Sequence, residues 1–353
     1  MGFREPCQDP RPLGSMSQTT PVSPSESENN DAPLKLSGRL RLRSAIGFVA
    51  ALGIIAFFVS RLELNPAAIW ITIRGADPLL YVAAFLAYYV TFPFRALRWQ
   101  ILLKSAGIAR DRPLPKLPSL AGIIYLSWFA NCLIPAKLGD AYRGYEIKQR
   151  TGASFSAAMG TVVAERAFDT VVLALLLVSS LLLIGRLEGP QADVADKMLI
   201  IAATLMGLSV VGLTAMWFLR ERLHLFLPKR IQSGYLRFQD GILGSFRKAP
   251  AGAAVTFAVW CTEAARMFLV IQALSLGLSF PHAVFLSLAN ALLTVVPLTP
   301  GGLGLVEAGM IGLLMLAGVT KEEAVAAALL DRSISYWSIV AFGSVLFLFR
   351  RKI

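Results

Sequence analysis

The chain has 353 residues, of which 56% are hydrophobic and only 16% charged, with a mean hydropathy of +0.62. Soluble domains carry about 45–50% apolar and about 25% charged residues, so this composition excludes a disordered protein, a secreted disulfide scaffold and most soluble enzymes, and points to a polytopic membrane protein. The formal charge of +12, from 34 basic and 22 acidic residues, suits either nucleic acid or an anionic membrane surface, and the placement of the charges decides between them. Cys7, Cys132 and Cys261 are too scattered for a metal or disulfide pattern.

Residues 1–33 are rich in Ser, Pro, Asn and acid, with almost no apolar run, and read as a disordered tail that cannot offset its ordering entropy by burial. Lys35, Arg39, Arg41 and Arg43 add a basic flank, so 1–43 is expected to be a cytoplasmic tail and 44–353 the membrane domain. The first membrane helix is expected over Ala45–Val59. Further apolar stretches cover Pro78–Phe94, Leu117–Pro135, Ser154–Ile184, Met198–Leu219, Ala249–Leu278, Ala283–Pro297, Leu303–Ala317 and Ala324–Phe349. A spanning helix needs about 20 residues, which Ala283–Pro297 and Leu303–Ala317 do not supply.

Cytoplasmic loops carry the excess of Lys and Arg. The segment 95–116 has six basic residues and one acid, and 220–248 has seven and two, so both are assigned to the cytoplasm with Arg350, Arg351 and Lys352. Segments 61–77 and 186–197 have two basic residues each and are assigned outside. An odd number of crossings must then separate Lys116 from Arg186, yet two apolar stretches lie there. The connector between them, with Lys137, Arg143, Lys148 and Arg150, prefers the cytoplasm. The simplest solution makes Leu117–Pro135 a re-entrant element broken at Pro135 and Gly139. The same logic makes Ala283–Ala317 a second one, broken at Pro297, Pro300, Gly301, Gly302 and Gly304. The expected fold is all-α: a polytopic helix bundle with about six full crossings and two re-entrant broken helices. Eight or nine complete helices is the alternative that hydropathy leaves open.

The two broken regions resemble each other. The windows GASFSAAMGTVVAER, from Gly152, and GVTKEEAVAAALLDR, from Gly318, align without a gap and end in Glu165–Arg166 and Asp331–Arg332. Repeat halves are therefore placed near 117–185 and 283–349, in opposite orientations. Such inverted repeats set a transport site near the bilayer midplane between the halves.

Eight ionisable residues fall within apolar stretches: Glu165, Arg166, Asp169, Glu263, Arg266, Glu307, Asp331 and Arg332. Each costs about 2.5–3.5 kcal/mol at a helix centre, so each is expected to pair or to face a wet path. Glu263 and Arg266, three residues apart, suit local pairing. Arg166 and Arg332 suit a substrate or gating role. Around Pro297–Gly304 two readings stand. In one, glycines and the following helix N-terminus present N–H groups to an anionic head group; in the other, glycine serves only a tight hairpin.

Three motifs carry a family resemblance. RALRWQILLKSAGI has Arg95, Arg98 and Trp99 at an expected cytoplasmic helix end. The run from Asn131 to Arg166 includes Pro135, Gly139, Arg143 and Glu165. PLTPGGLGLVEAG is followed by Gly318 and Arg332. Together, over most of 44–349, they resemble the transmembrane, flippase-like region of lysylphosphatidylglycerol synthases and their stand-alone relatives. The resemblance implies movement of an anionic or modified lipid between leaflets, or a role in aminoacyl-phospholipid, glycolipid or hopanoid synthesis. The synthases place an aminoacyl-transferase domain after the membrane region, and this chain is expected to lack it, so lysyl transfer is not carried over.

The expected substrate-binding residues are Arg143, Glu165, Arg166, Gly301, Gly302, Gly304, Glu307, Asp331 and Arg332, with Arg95, Arg98, Trp99, Asn131, Pro135, Gly139, Pro297 and Pro300 as structural motif residues. No catalytic residue, metal or cofactor is assigned: the only histidines are His224 and His282, and no phosphate-binding loop is present. The expected partners are membrane lipids with anionic head groups, with lipid-biosynthesis enzymes as further candidates and no nucleic acid. An intramembrane enzyme using paired carboxylates is the rival reading. A scaffold with 220–248 lying on anionic lipid is the third. The expected location is the inner membrane, with both termini cytoplasmic.

Overall fold

The structure is a computed structural model that describes residues 64–108, 112–134, 137–185, 189–218, 228–294 and 299–350, with Val49 and Gly53 from the segment before them. The expected tail lies outside the described residues, and so does the expected first helix apart from those two. Every regular element among the described residues is helical. The polytopic all-α reading therefore stands.

The chain opens on two capped helices. Asn65 Oδ1 accepts from the N–H groups of Ala67 and Ala68 at 3.1 and 3.3 Å and starts α1, Pro66–Arg74. Asp77 does the same for Leu79 at 2.8 Å and starts α2, Pro78–Ser105. Each helix has Pro at its first position, where the missing N–H costs nothing. The stretch expected to be an outer loop thus contains a nine-residue helix. The second expected crossing, Pro78–Phe94, also runs on to Ser105, so Arg95 and Arg98 lie inside this helix and not at its end.

Next come α3, Leu117–Leu133, α4, Leu138–Thr151, and α5, Phe155–Ile184. Helix α6, Pro190–Phe218, starts eight residues before the expected Met198, because Pro190 initiates it and Asp193, Asp196 and Lys197 fit its first turns. Then follow α7, Lys229–Ser245, and α8, Ala249–Ala273, joined by a 3₁₀ turn at Phe246–Lys248. The last elements are α9, Phe280–Leu293, a 3₁₀ turn at Pro300–Gly302, α10, Leu305–Leu316, and α11, Lys321–Arg332. A π turn over Ser333–Trp337 leads from α11 into α12, Ser338–Arg350.

Five described segments are long and apolar enough to cross a membrane: Pro78–Ser105, Phe155–Ile184, Pro190–Phe218, Ile231–Ala273 and Lys321–Phe349. Helices α3, α9 and α10 have 17, 14 and 12 residues. At 1.5 Å per residue they reach only about 26, 21 and 18 Å, so none alone crosses a hydrocarbon core about 30 Å thick.

Two stretches of the chain share a local construction. Gly152 ends α4 at φ +74°, and Gly318 follows α10 at φ +89°. Each lies two residues before an extended N-cap, Ser154 or Thr320. Helices α5 and α11 then begin at Phe155 and Lys321, which puts Glu165–Arg166 and Asp331–Arg332 at their eleventh and twelfth positions. Helix α2 packs along α8, α5 against α9, and α12 against α3, so each half supplies a helix to the other. A core of Trp99, Leu103, Leu120, Ile123, Ile124, Ile334 and Ile339 fills the space between α2, α3 and α12.

Helix α7 covers most of the described part of 220–248 and keeps an exposed face with Ile231, Leu236 and Arg237. It packs on α5 through glycines: a Cβ on Gly160 would lie 2.3 Å from Phe238 O, and one on Gly241 2.2 Å from Ala157 O. Backbone-to-backbone approach of this kind maximises dispersion contact between membrane helices. Gln239, Ile242 and Ser245 are buried by it.

Candidate functional site

Glu165 and Asp169 are four residues apart and so share one face of α5, which points at α2. Arg98, fully buried on α2, answers both: Nη2 lies 2.7 Å from Glu165 Oε1 and Nη1 2.5 Å from Asp169 Oδ1. Arg143 of α4 holds the other Glu165 oxygen at 2.6 Å and stacks over the Trp99 ring at 4.2 Å. Trp99 is oriented in turn by its Nε1–H, which donates to Thr161 Oγ1 at 3.1 Å. Two guanidinium groups facing two carboxylates leave no net charge here, which is what permits their burial.

The second half has a parallel cluster on α8 and α11. Glu263 accepts from Arg95 at 2.9 Å and from Arg266 at 3.3 Å, so the local Glu263–Arg266 pairing is real but shared across helices. Arg266 also pairs with Asp331. Arg332 Nε lies 2.7 Å from Glu307 Oε1, and its Nη2 donates to Gly301 O at 2.9 Å. The spacing Arg95–Arg98 on α2 is matched by Glu263–Arg266 on α8, and the two arginines Arg98 and Arg266 each hold the acid that precedes Arg166 or Arg332.

The π turn positions Arg332. One carbonyl of its irregular backbone is satisfied from outside, where Tyr88 donates to Ser335 O at 3.0 Å, and the turn is tied to α3 through the Tyr336 hydroxyl, which donates to Cys132 O at 3.0 Å. The Tyr336 ring lies under the Arg332 guanidinium at 4.9 Å. Gly301 must be glycine here, because at φ +58° a Cβ would lie 2.5 Å from that ring.

Between the halves lies a cavity of ≈ 540 Å³. Arg95, Lys137, Arg166, Arg266 and Arg332 line it with Asp140, Asp169, Glu263 and Asp331. Apolar residues also line it, among them Leu173 of α5, Ala202 and Leu205 of α6, and Leu292 of α9. So do Trp128, which carries Arg95 on its ring face at 4.5 Å, and Tyr88. Lys137 sits in the link between α3 and α4; burial, followed by the charge of Arg166, pushes its ammonium pKa down, against the pull of Asp140.

Of the expected binding residues, Arg166, Gly301, Gly302, Asp331 and Arg332 line this cavity. Arg143 and Glu165 are not among its lining residues: they are buried against each other, and Glu165 is also paired with Arg98 of α2. Glu307 lies behind Arg332, and its Oε2 accepts from Gly304 N at 2.6 Å. The N–H of Gly304 is therefore taken by the chain's own carboxylate, and the helix N-terminus expected to receive an anion is capped from within.

Among the motif residues, Arg95 and Asn131 reach the cavity wall, while Arg98 and Trp99 lie in the first ion-pair cluster. Gly139 donates to Asn131 Oδ1 at 2.8 Å, and a Cβ there would fall 2.0 Å from Ser127 O. Pro300 is buried in its turn, and Pro135 and Pro297 lie outside the described residues. Sequence reasoning missed Lys137, Asp140, Tyr88 and Trp128 as cavity residues. Only Asp140 carried a signal: it is the third residue of α4, as Glu307 is of α10.

The family model for the lysylphosphatidylglycerol synthase TM region matches residues 44–343. A UPF0104 membrane protein of Methanocaldococcus jannaschii is 34% identical over 226 residues, covering 62% of this chain and 93% of that protein. A UPF0104 membrane protein of Methanothermobacter thermautotrophicus is 25% identical over 316 residues, covering 83% of this chain and 91% of that one. The glycosyltransferase AglD of Haloferax volcanii is 27% identical over 344 residues; the match covers 85% of this chain but only 54% of AglD.

Proposed function

This chain belongs to the lysylphosphatidylglycerol synthase transmembrane-region family, and from that premise we propose that it moves a lipid with an anionic head group between the leaflets of the inner membrane. The observation that carries the reading is one cavity lined by both guanidinium groups and apolar side chains. The guanidinium groups suit a phosphate-bearing head group, and the apolar residues of α5, α6 and α9 suit acyl chains. The head group would enter beside Arg166, contact Arg332 and the Gly301–Gly302 backbone, and leave on the other side while the tails stay in the bilayer. Helices α3, α9 and α10 serve as the re-entrant elements in this reading, and their shortness supports it. Both termini are then cytoplasmic.

Reconstitution into liposomes tests the proposal. With tail-labelled phosphatidylglycerol in the inner leaflet, the wild type is expected to expose the label to an impermeant quencher, and Arg166→Ala and Arg332→Ala to lose that exchange. Absence of exchange by the folded wild type, or chemical conversion of the lipid without exchange, overturns it.

A second reading is a membrane component of glycolipid synthesis. It is favoured by the likeness to AglD, which is named a glycosyltransferase and of which this chain spans about half.

A further inference from the structure

The five cations on the cavity wall are not equivalent. The four arginines are already engaged: Arg95 with Glu263 at 2.9 Å, Arg166 with Asp140 at 3.0 Å, Arg266 with Glu263 at 3.3 Å, and Arg332 with Glu307 at 2.7 Å. Lys137 is in no ion pair among the described residues. Its backbone is also unusual. At φ 54°, ψ 37° it occupies the left-handed region, which a residue with a Cβ adopts only when its surroundings impose it. Strain of this kind gathers at ligand-binding positions.

The charge of each arginine is already shared in an ion pair with a carboxylate, so an entering anion competes with that partner for it. Lys137 has no such pair to give up. Its ammonium is a compact point charge that donates to a phosphate oxygen from any direction, without the planar match a guanidinium requires. The apolar lining of Leu173, Ala202, Leu205 and Leu292 selects among phosphates: a free ion gains nothing from it, whereas an acyl-bearing phosphate ester does.

We infer that Lys137, held in a left-handed turn between α3 and α4, is the docking point for the phosphate ester of an amphiphile in this cavity. The inference rests on the lipid-handling role proposed above and adds the group that first captures the head.

Binding and transport together test it on the full chain. Lys137→Gly is the informative variant, since glycine adopts φ 54° freely and the fold is expected to be retained, with a melting temperature in detergent no lower than the wild type. Dioctanoyl phosphatidylglycerol should bind the wild type and Lys137→Arg alike, and Lys137→Gly at least tenfold more weakly. Dioctanoylglycerol, which lacks the phosphate, should bind all three equally poorly. Inorganic phosphate at the same concentration should not compete. Equal binding of dioctanoyl phosphatidylglycerol by Lys137→Gly and wild type overturns the assignment, as does equal binding of dioctanoylglycerol and the phospholipid. Effective competition by inorganic phosphate would make this a free-phosphate site and overturn the amphiphile. The same proteins in liposomes separate the two proposals: lysine-dependent binding without leaflet exchange sinks translocation and leaves the docking point standing.

Discussion

Arg166 and Arg332 stand at the same position of two helices built alike, and each bonds a carboxylate at the third position of the preceding short helix, Asp140 at 3.0 Å and Glu307 at 2.7 Å. The pairs differ in exposure: the Arg166 side chain is 44% accessible and that of Arg332 9%. One chemical device thus occurs in two environments, wet in one half and nearly dry in the other.

That contrast sets the cost of breaking each pair. Glu307→Gln leaves the Arg332 guanidinium buried without a countercharge, and the loss of stability should be about 3 kcal/mol or more. Asp140→Asn removes the partner of an exposed arginine and should cost about 1 kcal/mol or less, because water screens the charge. Thermal unfolding of the two variants in one detergent measures the difference, and equal destabilisation would contradict it.

Glu165 is the hub of the first cluster, since it accepts from both Arg98 and Arg143. Glu165→Gln leaves two buried guanidinium groups facing a neutral amide, with only Asp169 left to Arg98. A loss of about 3–5 kcal/mol follows, enough to abolish accumulation of folded protein in many membrane proteins of marginal stability. Size-exclusion chromatography reads the folded fraction, and a monodisperse variant of wild-type yield would refute the assignment.

Glycine matters by position. Gly160→Ala drives a Cβ into the Phe238 carbonyl of α7 and should cost about 1–3 kcal/mol, because the obstacle is backbone and cannot rotate away. Gly207→Ala on α6 meets no atom within 4 Å and should be neutral or mildly stabilising. Melting temperatures should fall for Gly160→Ala and stay at or slightly above wild type for Gly207→Ala.

Orientation is testable with single cysteines in a background lacking Cys7, Cys132 and Cys261. Gln149 and Asp193 both have exposed side chains, on α4 and at the start of α6. An impermeant maleimide added to intact cells should label Asp193→Cys and spare Gln149→Cys. The reverse pattern, with Gln149→Cys labelled and Asp193→Cys spared, would make α3 a full crossing and remove the re-entrant reading.

Much of this was legible in the chain itself. Length and hydropathy marked the spanning segments, because a helix in lipid must satisfy its own backbone and show apolar residues around its whole circumference. The gap-free match from Gly152 to Arg166 and from Gly318 to Arg332 was readable because glycine, N-cap and acid–arginine pair each have a fixed local geometry. Helix ends were less legible: Arg95 and Arg98 read as loop charges, and only their burial against Glu263, Glu165 and Asp169 explains why α2 continues through them.

What the sequence by itself determined is the class of the protein, its long and short helices, the repeat and the small set of intramembrane charges. The tertiary structure alone decided which charge meets which. Arg143 and Arg166 looked alike as candidate binding residues, yet one is sealed between Glu165 and Trp99 and the other faces the cavity. Local spacing fixes which face of a helix a side chain occupies, but not which helix lies opposite. That depends on contacts such as α2 with α8 and α5 with α9, between segments far apart in the chain, and those contacts turn a row of costly charges into paired structure and a lined cavity.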